Sequence, residues 1–153
     1  MRLVLPMPIS ANLYWRTFVQ PNAKFANTYV SDEARRYKRQ VKIAAYEQGA
    51  REPISGRVSV AVELYPHRPL DYQKRMRADP MNWDDTVQCP DLDNTLKVLL
   101  DSLRKIAFTD DAWVRKLTAE RMEPDGEGER VVVTVEPIVR ASPQTSLLES
   151  AAA

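Results

Sequence analysis

The order of hydrophobic and polar positions predicts four β-strands. Residues 58–65 alternate at a period of two, which is typical of a half-buried strand. Its hydrophobic positions are Val58, Val60, Val62 and Leu64. Residues 2–6 form a short first strand, and residues 131–135 form a last strand that is rich in valine. Residues 114–122 are a further candidate strand, and the turn at residues 124–128 would join it to the last strand as a hairpin.

Two stretches have the spacing of amphipathic helices. The first begins at Ser31, a favourable N-cap residue, and extends to about residue 50. Its apolar stripe consists of Tyr37, Val41, Ala44 and Ala45. The second covers residues 94–106 and has one apolar face and one polar face. The apolar face contains Leu96, Leu99, Leu100, Leu103 and Ile106, and the polar face contains Asn94, Lys97, Asp101 and Arg104.

The remaining segments are predicted to be connections. Residues 9–30 read as an irregular loop or a loose hairpin, and residues 66–90 as a long loop or insertion. Residues 141–153 are expected to form a flexible tail. We therefore expect one domain over residues 1–140, of the α/β class, in which a mixed sheet packs with two main helices.

Composition restricts the classes of protein that fit. Hydrophobic residues make up 44% and charged residues 28% of the 153 residues, as in folded globular proteins. The single Cys89 and single His67 exclude an internal disulfide, a cysteine-rich zinc site and a histidine-rich metal centre. No apolar run approaches the roughly 20 residues that cross a bilayer, and the N-terminus lacks the features of a signal peptide. We expect a reducing, cytoplasmic setting and no membrane partner.

The net charge of +1 predicts no general affinity for nucleic acid, but the distribution of charge is uneven. Basic residues gather in three groups, which include Arg35, Arg36, Lys38 and Arg39, then Arg68, Lys74, Arg75 and Arg77, then Arg104, Lys105, Arg115 and Lys116. Four aspartates that offset them lie close together in sequence, at Asp91, Asp93, Asp110 and Asp111. Basic patches around an acidic focus suit a metal-dependent nuclease. On charge alone, a well-solvated surface is the simpler interpretation.

The aspartates flank the second helix. Asp91 and Asp93 alternate in an extended segment, so both carboxylates would point to one side, and Asp93 would be placed to cap the helix. Lys97 lies one turn further along the same face. Asp110 and Asp111 follow the helix, so the chain must fold back to bring them near.

Converging carboxylates repel one another unless a cation is bound between them. Magnesium favours a few carboxylate oxygens together with water and substrate phosphate, and it activates a bound water. Lys97 would then stabilise charge on the phosphate or position the attacking water, and the first role fits better because a lysine near carboxylates stays protonated. Each feature also has a purely structural interpretation, as a helix cap, a turn, or a surface pair between Lys97 and Asp101.

The combined pattern resembles the RusA family of Holliday junction resolvases. The most specific block is Asp91-Leu92-Asp93-Asn94-x-x-Lys97, followed by Asp101-x-Leu103 and Phe108-x-Asp110-Asp111-Ala112-x-Val114. The segment Pro8-Ile9-Ser10-Ala11-Asn12-x-Tyr14-x-Arg16 is also similar, as is Val30-Ser31 leading into a helix with Tyr37 and Arg39. The resemblance covers most of residues 2–136. It implies a small homodimeric α/β endonuclease, often carried by phages and prophages, that nicks four-way DNA junctions symmetrically with magnesium.

The resemblance also implies roles for individual residues. Asp91, Asp93 and Asp111 match the metal-binding carboxylates, with Asp110 as an alternative to Asp111, and Lys97 matches the catalytic lysine. Manganese is expected to substitute for magnesium. The expected DNA contacts are Asn12, Tyr14, Arg16, Arg35, Arg36, Lys38, Arg39, Lys74, Arg75 and Arg77. Residues 66–90 depart from the family, whose corresponding stretch is shorter and basic, and this difference bears on substrate preference.

Two other functions fit parts of the sequence. Asp91-Leu92-Asp93-Asn94-Thr95-Leu96 matches the first motif of haloacid dehalogenase-like phosphatases. That motif should follow a buried apolar strand early in a Rossmann-like domain, and the preceding segment here is not such a strand. A non-catalytic DNA-binding module would use the basic helix with Tyr14, Trp15 and Trp83. Its difficulty is that unneutralised carboxylates facing phosphates weaken binding.

Overall fold

A computed structural model describes residues 1–19 and 25–139 of the chain. These residues contain six strands and three α-helices. The strands are β1 (Arg2–Leu5), β2 (Trp15–Phe18), β3 (Asn27–Val30), β4 (Val58–Tyr65), β5 (Val114–Arg121) and β6 (Arg130–Pro137). The helices are α1 (Asp32–Glu47), α2 (Tyr72–Ala78) and α3 (Leu92–Leu103). The predicted tail at residues 141–153 lies outside the described part of the chain.

The main sheet is mixed, with the strand order β1-β6-β4-β5. Strand β4 pairs antiparallel with β6 on one side and parallel with β5 on the other. The alternation in β4 is as predicted, because Val58, Val60, Val62 and Leu64 are all buried. Strands β2 and β3 form a separate antiparallel hairpin, in agreement with the loose hairpin expected before residue 30. The predicted α/β class with a mixed sheet is confirmed.

The predicted hairpin between the last two strands is wrong, because β4 lies between β5 and β6. The reason is the different polarity of the two strands. Strand β6 buries Val131, Val132, Val133 and Val135, so both of its faces favour the interior of the sheet. Strand β5 is mostly exposed and carries several charged side chains, so it is suited to an edge.

Helix α1 begins where the sequence predicts. The side chain of Ser31 accepts a hydrogen bond from the Ala34 backbone N–H and donates one to the Leu13 carbonyl at 2.6 Å. The helix buries Ala34, Tyr37, Val41 and Ala45 against the sheet. Just past its end, the Gln48 amide exchanges two hydrogen bonds of 2.7 Å with the backbone of Val4 in β1. Both ends of α1 are therefore fixed to neighbouring elements.

Helix α3 starts earlier than predicted, and its N-cap position is occupied by Asp91 instead of Asp93. Asp93 falls in the first turn, and the Asp91 side chain makes no capping hydrogen bond. The buried positions of the helix are Thr95, Val98, Leu99, Ser102 and Leu103. Leu96 and Leu100, which the predicted apolar face included, are only partly buried. Lys97 and Arg104 remain exposed on the outer face.

Residues 66–90, predicted to be a long loop or insertion, include regular structure. They contain α2 and a 3-10 turn at Trp83–Thr86. The Arg121 guanidinium donates to the carbonyls of Asp84, at 2.9 Å, and Val87. The indole N–H of Trp83 donates to the Glu123 carboxylate at 2.8 Å. The segment is thereby anchored to the carboxyl end of β5. In the described residues, no helix has the length and apolar character needed to cross a membrane.

Candidate active site

A cavity of about 440 Å³ lies beside the outer face of α3. Two residues of the predicted catalytic set, Lys97 and Asp111, line it together with Asp101. The opposite wall is formed by the start of the N-terminal hairpin, with Tyr14 and Trp15, and by α1. The cavity therefore brings acidic and basic groups together with aromatic rings at a junction of three elements.

The return of the chain after α3 explains how Asp111 reaches this helix. Lys105 adopts a left-handed backbone with a φ of 64°, and the Phe108 side chain that follows is fully buried. The backbone of Ile54 holds the returning segment. Its N–H donates to the Ala107 carbonyl at 3.0 Å, and its carbonyl accepts from the Thr109 N–H at 3.2 Å. These contacts fix the path into the 3-10 turn at Asp111–Trp113.

Asp110 and Asp111 are used differently. The Asp110 carboxylate accepts a hydrogen bond of 3.0 Å from the Ala112 backbone N–H and caps the short turn. That backbone hydrogen bond, followed by a hydrogen bond with Asp111, lowers the pKa of Asp110 below its ordinary value. Asp111 is exposed and lines the cavity with Lys97. Of the two aspartates, Asp111 is the one that shares a cavity with the predicted catalytic lysine.

Asp91 and Asp93 lie at the beginning of α3, and both are exposed. The Asp91 carboxylate accepts a hydrogen bond of 3.3 Å from the Asn94 side chain. Asp93 precedes Lys97 by one helical turn, so both residues lie on the same side of the helix. Neither aspartate is among the residues that line the cavity of Lys97 and Asp111.

The described residues contain no group of three or more His, Cys, Asp or Glu side chains that would hold a metal ion. The aspartates therefore do not form a closed protein cage. Magnesium is usually bound through one or two carboxylates together with water and substrate phosphates, and it seldom uses such a cage. Asp111 lines the cavity beside α3, whereas Asp91 and Asp93 at the start of the helix do not, so the structure does not bring the three predicted metal ligands together.

Asp101 pairs with a lysine that sequence spacing does not indicate. Its carboxylate lies 2.6 Å from the Lys38 ammonium group on α1. Burial raises the pKa of Asp101 above its ordinary value; the positive charge of Arg104 opposes this effect, and the negative charge of Asp111 adds to it. The surface pair between Lys97 and Asp101 that spacing allows is absent, since Lys97 forms no ion pair within residues 1–19 and 25–139.

The predicted DNA contacts fall in several places. Arg35, Arg36 and Arg39 are exposed on α1, where Arg35 also lies 3.6 Å from Asp32, and Lys74 and Arg77 are exposed on α2.

Four others already have partners or are covered. Arg16 pairs with Glu33 at 3.4 Å, and Arg75 bonds to Asp71 and to Thr86. Tyr14 is only 4% exposed, and the Lys38 ammonium lies 5.3 Å from the centre of its ring. Asn12 is exposed in the turn that precedes β2.

Sequence reasoning missed two groups that shape this region. The pairing of Lys38 with Asp101 joins residues far apart in sequence, and no local pattern signals it. The anchoring of residues 66–90 by Arg121 likewise depends on where β5 lies in the sheet. The exposed Trp15, which lines the cavity, is signalled only by its place within the N-terminal segment.

Comparison with known proteins gives one family. The family model described as endodeoxyribonuclease RusA matches residues 6–136. That range includes the whole of α1, α2 and α3 and every residue named above as part of the cavity. A search of curated proteins found no match.

Proposed function

Since the chain belongs to the RusA family of Holliday junction endodeoxyribonucleases, we propose that it resolves four-way junctions by magnesium-dependent hydrolysis at a site on the outer face of α3. The site would consist of Asp91, Asp93, Lys97 and Asp111. The observation that carries this proposal is the shared cavity of Lys97 and Asp111, with Asp93 one helical turn before the lysine. An unpaired cation beside carboxylates is an arrangement that suits phosphodiester chemistry.

Lys97 would stabilise negative charge on the phosphate. Its ammonium group is exposed and forms no ion pair with the described residues, so it is available to a substrate oxygen. A fixed positive charge stabilises a transition state in which negative charge develops on the phosphate oxygens. Its position on a helix, which is a rigid element, keeps the ammonium group on the cavity side.

The three aspartates would bind the metal ion, which would have to draw their carboxylates together with water and substrate phosphate, because the described residues contain no preformed group of three such ligands. Asp91 and Asp93 offer oxygens from the first residues of α3, and Asp111 offers oxygens from the turn before β5. When bound, magnesium would lower the pKa of a coordinated water and neutralise charge on the phosphate, and manganese would substitute for it. Asp110 is the less suitable ligand, because its carboxylate already accepts the Ala112 N–H.

Exposed polar and basic residues of the N-terminal segment, α1 and α2 would contact the DNA backbone. The candidates are Arg35, Arg36, Arg39, Lys74 and Arg77, together with Asn12 and Arg16 of the N-terminal segment. Contacts of this kind position a duplex arm without reading its sequence. They suit a substrate that is recognised by its branched shape.

Paired incision would require two sites. We propose that the active species is a homodimer, in which each protomer nicks one of two opposed strands. After the first cut, the second becomes effectively intramolecular, because the junction is still held by the partner site. The two nicks would then follow each other within one binding event.

The first experiment compares nicking of a synthetic four-way junction and of a linear duplex of the same sequence, with magnesium or with EDTA. We expect junction-selective nicking that EDTA abolishes. Asp93→Asn should lower the nicking rate about 100-fold or more while junction binding in a gel-shift assay is retained. Asp85→Asn is the control, since Asp85 is also an exposed aspartate in the first turn of a short helix and forms no ion pair with the described residues.

Three results would contradict the proposal. Tight junction binding without nicking by the wild-type protein would indicate a DNA-binding module. Equal nicking by wild type and Asp93→Asn would place the catalytic group elsewhere. Hydrolysis of a small phosphate ester in place of DNA would support the phosphatase interpretation.

A further inference from the structure

The ion pair between Lys38 and Asp101 joins the middle of α1 to the outer face of α3, beside the proposed site. We propose that Lys38 is a positioning residue, which occupies the Asp101 carboxylate so that Lys97 remains free for the scissile phosphate. This inference rests on the proposed function and adds a residue to its site. It also changes the expected role of Lys38, which sequence reasoning places among the DNA contacts.

The two partners are held by rigid surroundings. Lys38 follows Tyr37, whose buried ring is fixed by a hydrogen bond of 3.1 Å from its hydroxyl to the Pro6 carbonyl. Asp101 lies between the buried Val98 and Ser102 of α3. Because the two residues lie on helices that pack against each other, the distance of 2.6 Å between the ammonium and the carboxylate depends on how α1 and α3 pack.

The surroundings disfavour each charge by itself. Burial lowers the pKa of Lys38, and the positive charge of Arg104 adds to this effect, whereas burial raises the pKa of Asp101. The side chains of Lys38 and Asp101 are 36% and 31% exposed, and the Tyr14 ring covers part of the lysine. A nearby cation stabilises a partly desolvated carboxylate, so removing Lys38 would leave Asp101 open to pairing with another cation.

Lys97 is placed to become that partner, in competition with Arg104, which lines the same cavity and whose positive charge already acts on Asp101. Lys97 precedes Asp101 by four residues on the same helix, which is the spacing at which lysine and aspartate side chains meet. Both residues already line the cavity that contains Asp111. Without Lys38, the Lys97 ammonium would turn along the helix towards Asp101 and away from a phosphate. With Lys38 present, the carboxylate is occupied and Lys97 stays available.

The test compares single-turnover nicking of a four-way junction at saturating enzyme with junction affinity measured across salt concentrations. Lys38→Met should lower the nicking rate constant about tenfold, because a misplaced catalytic group costs up to about 100-fold, and should leave the affinity unchanged. The double variant Lys38→Met with Asp101→Asn should nick faster than Lys38→Met alone, because Lys97 is released. Lys38→Arg, which keeps the charge, should behave as wild type.

Two control variants on α1 complete the design. Lys42→Met removes an exposed lysine one turn away and should change neither quantity. Arg39→Met removes a proposed backbone contact, so it should weaken binding and reduce the slope of log affinity against log salt by about one. Melting temperatures of all variants report whether each one is folded.

Three outcomes would overturn the inference, and they are distinguishable. If Lys38→Met behaves like Arg39→Met, with weaker binding and a lower salt slope at an unchanged rate constant, Lys38 is a phosphate contact. If the double variant is no faster than Lys38→Met, Asp101 does not capture Lys97. If the wild-type protein nicks no junction at all, the proposed function itself fails, and the inference fails with it.

Discussion

At the scale of single residues, two neighbouring aspartates have different surroundings. The Asp110 carboxylate is bonded to the backbone N–H of Ala112, and Asp111 lines the cavity with Lys97. Adjacent residues of identical chemistry therefore offer an internal comparison, in which one side chain serves the backbone and the other faces the site.

This difference predicts opposite results for the same substitution. Asp111→Asn should lower junction nicking about 100-fold or more, because it removes a proposed metal-binding carboxylate. Asp110→Asn should stay within about twofold of wild type, because asparagine caps a helix about as well as aspartate. Nicking rates at several magnesium concentrations measure both. A large loss in Asp110→Asn with normal activity in Asp111→Asn would reverse the assignment.

How well the sequence predicts the site depends on how far apart the residues of the site lie along the chain. The spacing of Asp91, Asp93 and Lys97 is visible because it is local, but local rules placed the helix start at Asp93 whereas the N-cap is Asp91. The choice between Asp110 and Asp111 depends on a short turn whose capping geometry no periodicity reveals. The partner of Asp101 lies on another helix, so it depends on how α1 and α3 pack.

At the scale of elements, Ser31 joins a helix to the hairpin before it. Its hydroxyl accepts from the Ala34 N–H at 3.1 Å and donates to the Leu13 carbonyl at 2.6 Å, and the side chain is fully buried. The backbone N–H of Ser31 also donates to the Tyr14 carbonyl at 2.9 Å. This one residue therefore fixes both the start of α1 and the wall of the cavity that contains Tyr14.

Ser31→Ala should lower the free energy of unfolding by about 1–2 kcal/mol, since it removes an N-cap and leaves a carbonyl without its donor. The measurement is urea denaturation followed by circular dichroism. Ser10→Ala is the control, because Ser10 caps a three-residue turn at the surface with a longer contact of 3.3 Å, and it should change stability by less than about 0.5 kcal/mol. Equal effects of the two substitutions would contradict this role of Ser31.

The elements themselves could be predicted better than their pairing. Strand β4 and the start of α1 follow from local alternation and a capping serine. The expected hairpin of the last two strands failed because sequence proximity favours pairing of neighbours, whereas the buried valines of β6 place it in the middle of the sheet. Which strands pair depends on which of them has apolar side chains on both faces. That can be decided only by comparing all the strands of the sheet.

At the scale of the whole molecule, the parallel pairing of β4 and β5 requires a long crossover, and residues 66–113 form it. The crossover contains both the segment 66–90 and the helix of the proposed site. Its first part is held against the end of β5 by Arg121 and by the hydrogen bond between Trp83 and Glu123. A cavity of about 720 Å³ is lined by both ends of this first part, and one of its walls is Pro90, next to Asp91.

Arg121→Met should loosen residues 66–90 without unfolding the sheet. Hydrogen bonds from a charged group contribute about 1.5–3 kcal/mol, so amide hydrogen exchange in residues 72–87 should become about tenfold faster or more. Exchange in β4 and β6 should stay the same. Arg115→Met, on the exposed part of β5, is the control and should leave exchange in this segment unchanged. Uniform acceleration over the whole chain would instead indicate loss of global stability.

The place of β5 at the edge of the sheet has a consequence for how the protein behaves at high concentration. An edge strand has unpaired backbone N–H and C=O groups on one side. A strand of another molecule can pair with these groups, and such pairing can start aggregation. The side chains of Arg115, Lys116 and Glu120 are exposed along β5, and a second copy approaching this edge would have to desolvate them. Charge on this strand therefore favours colloidal stability, and it should be retained in any variant designed for crystallisation or storage.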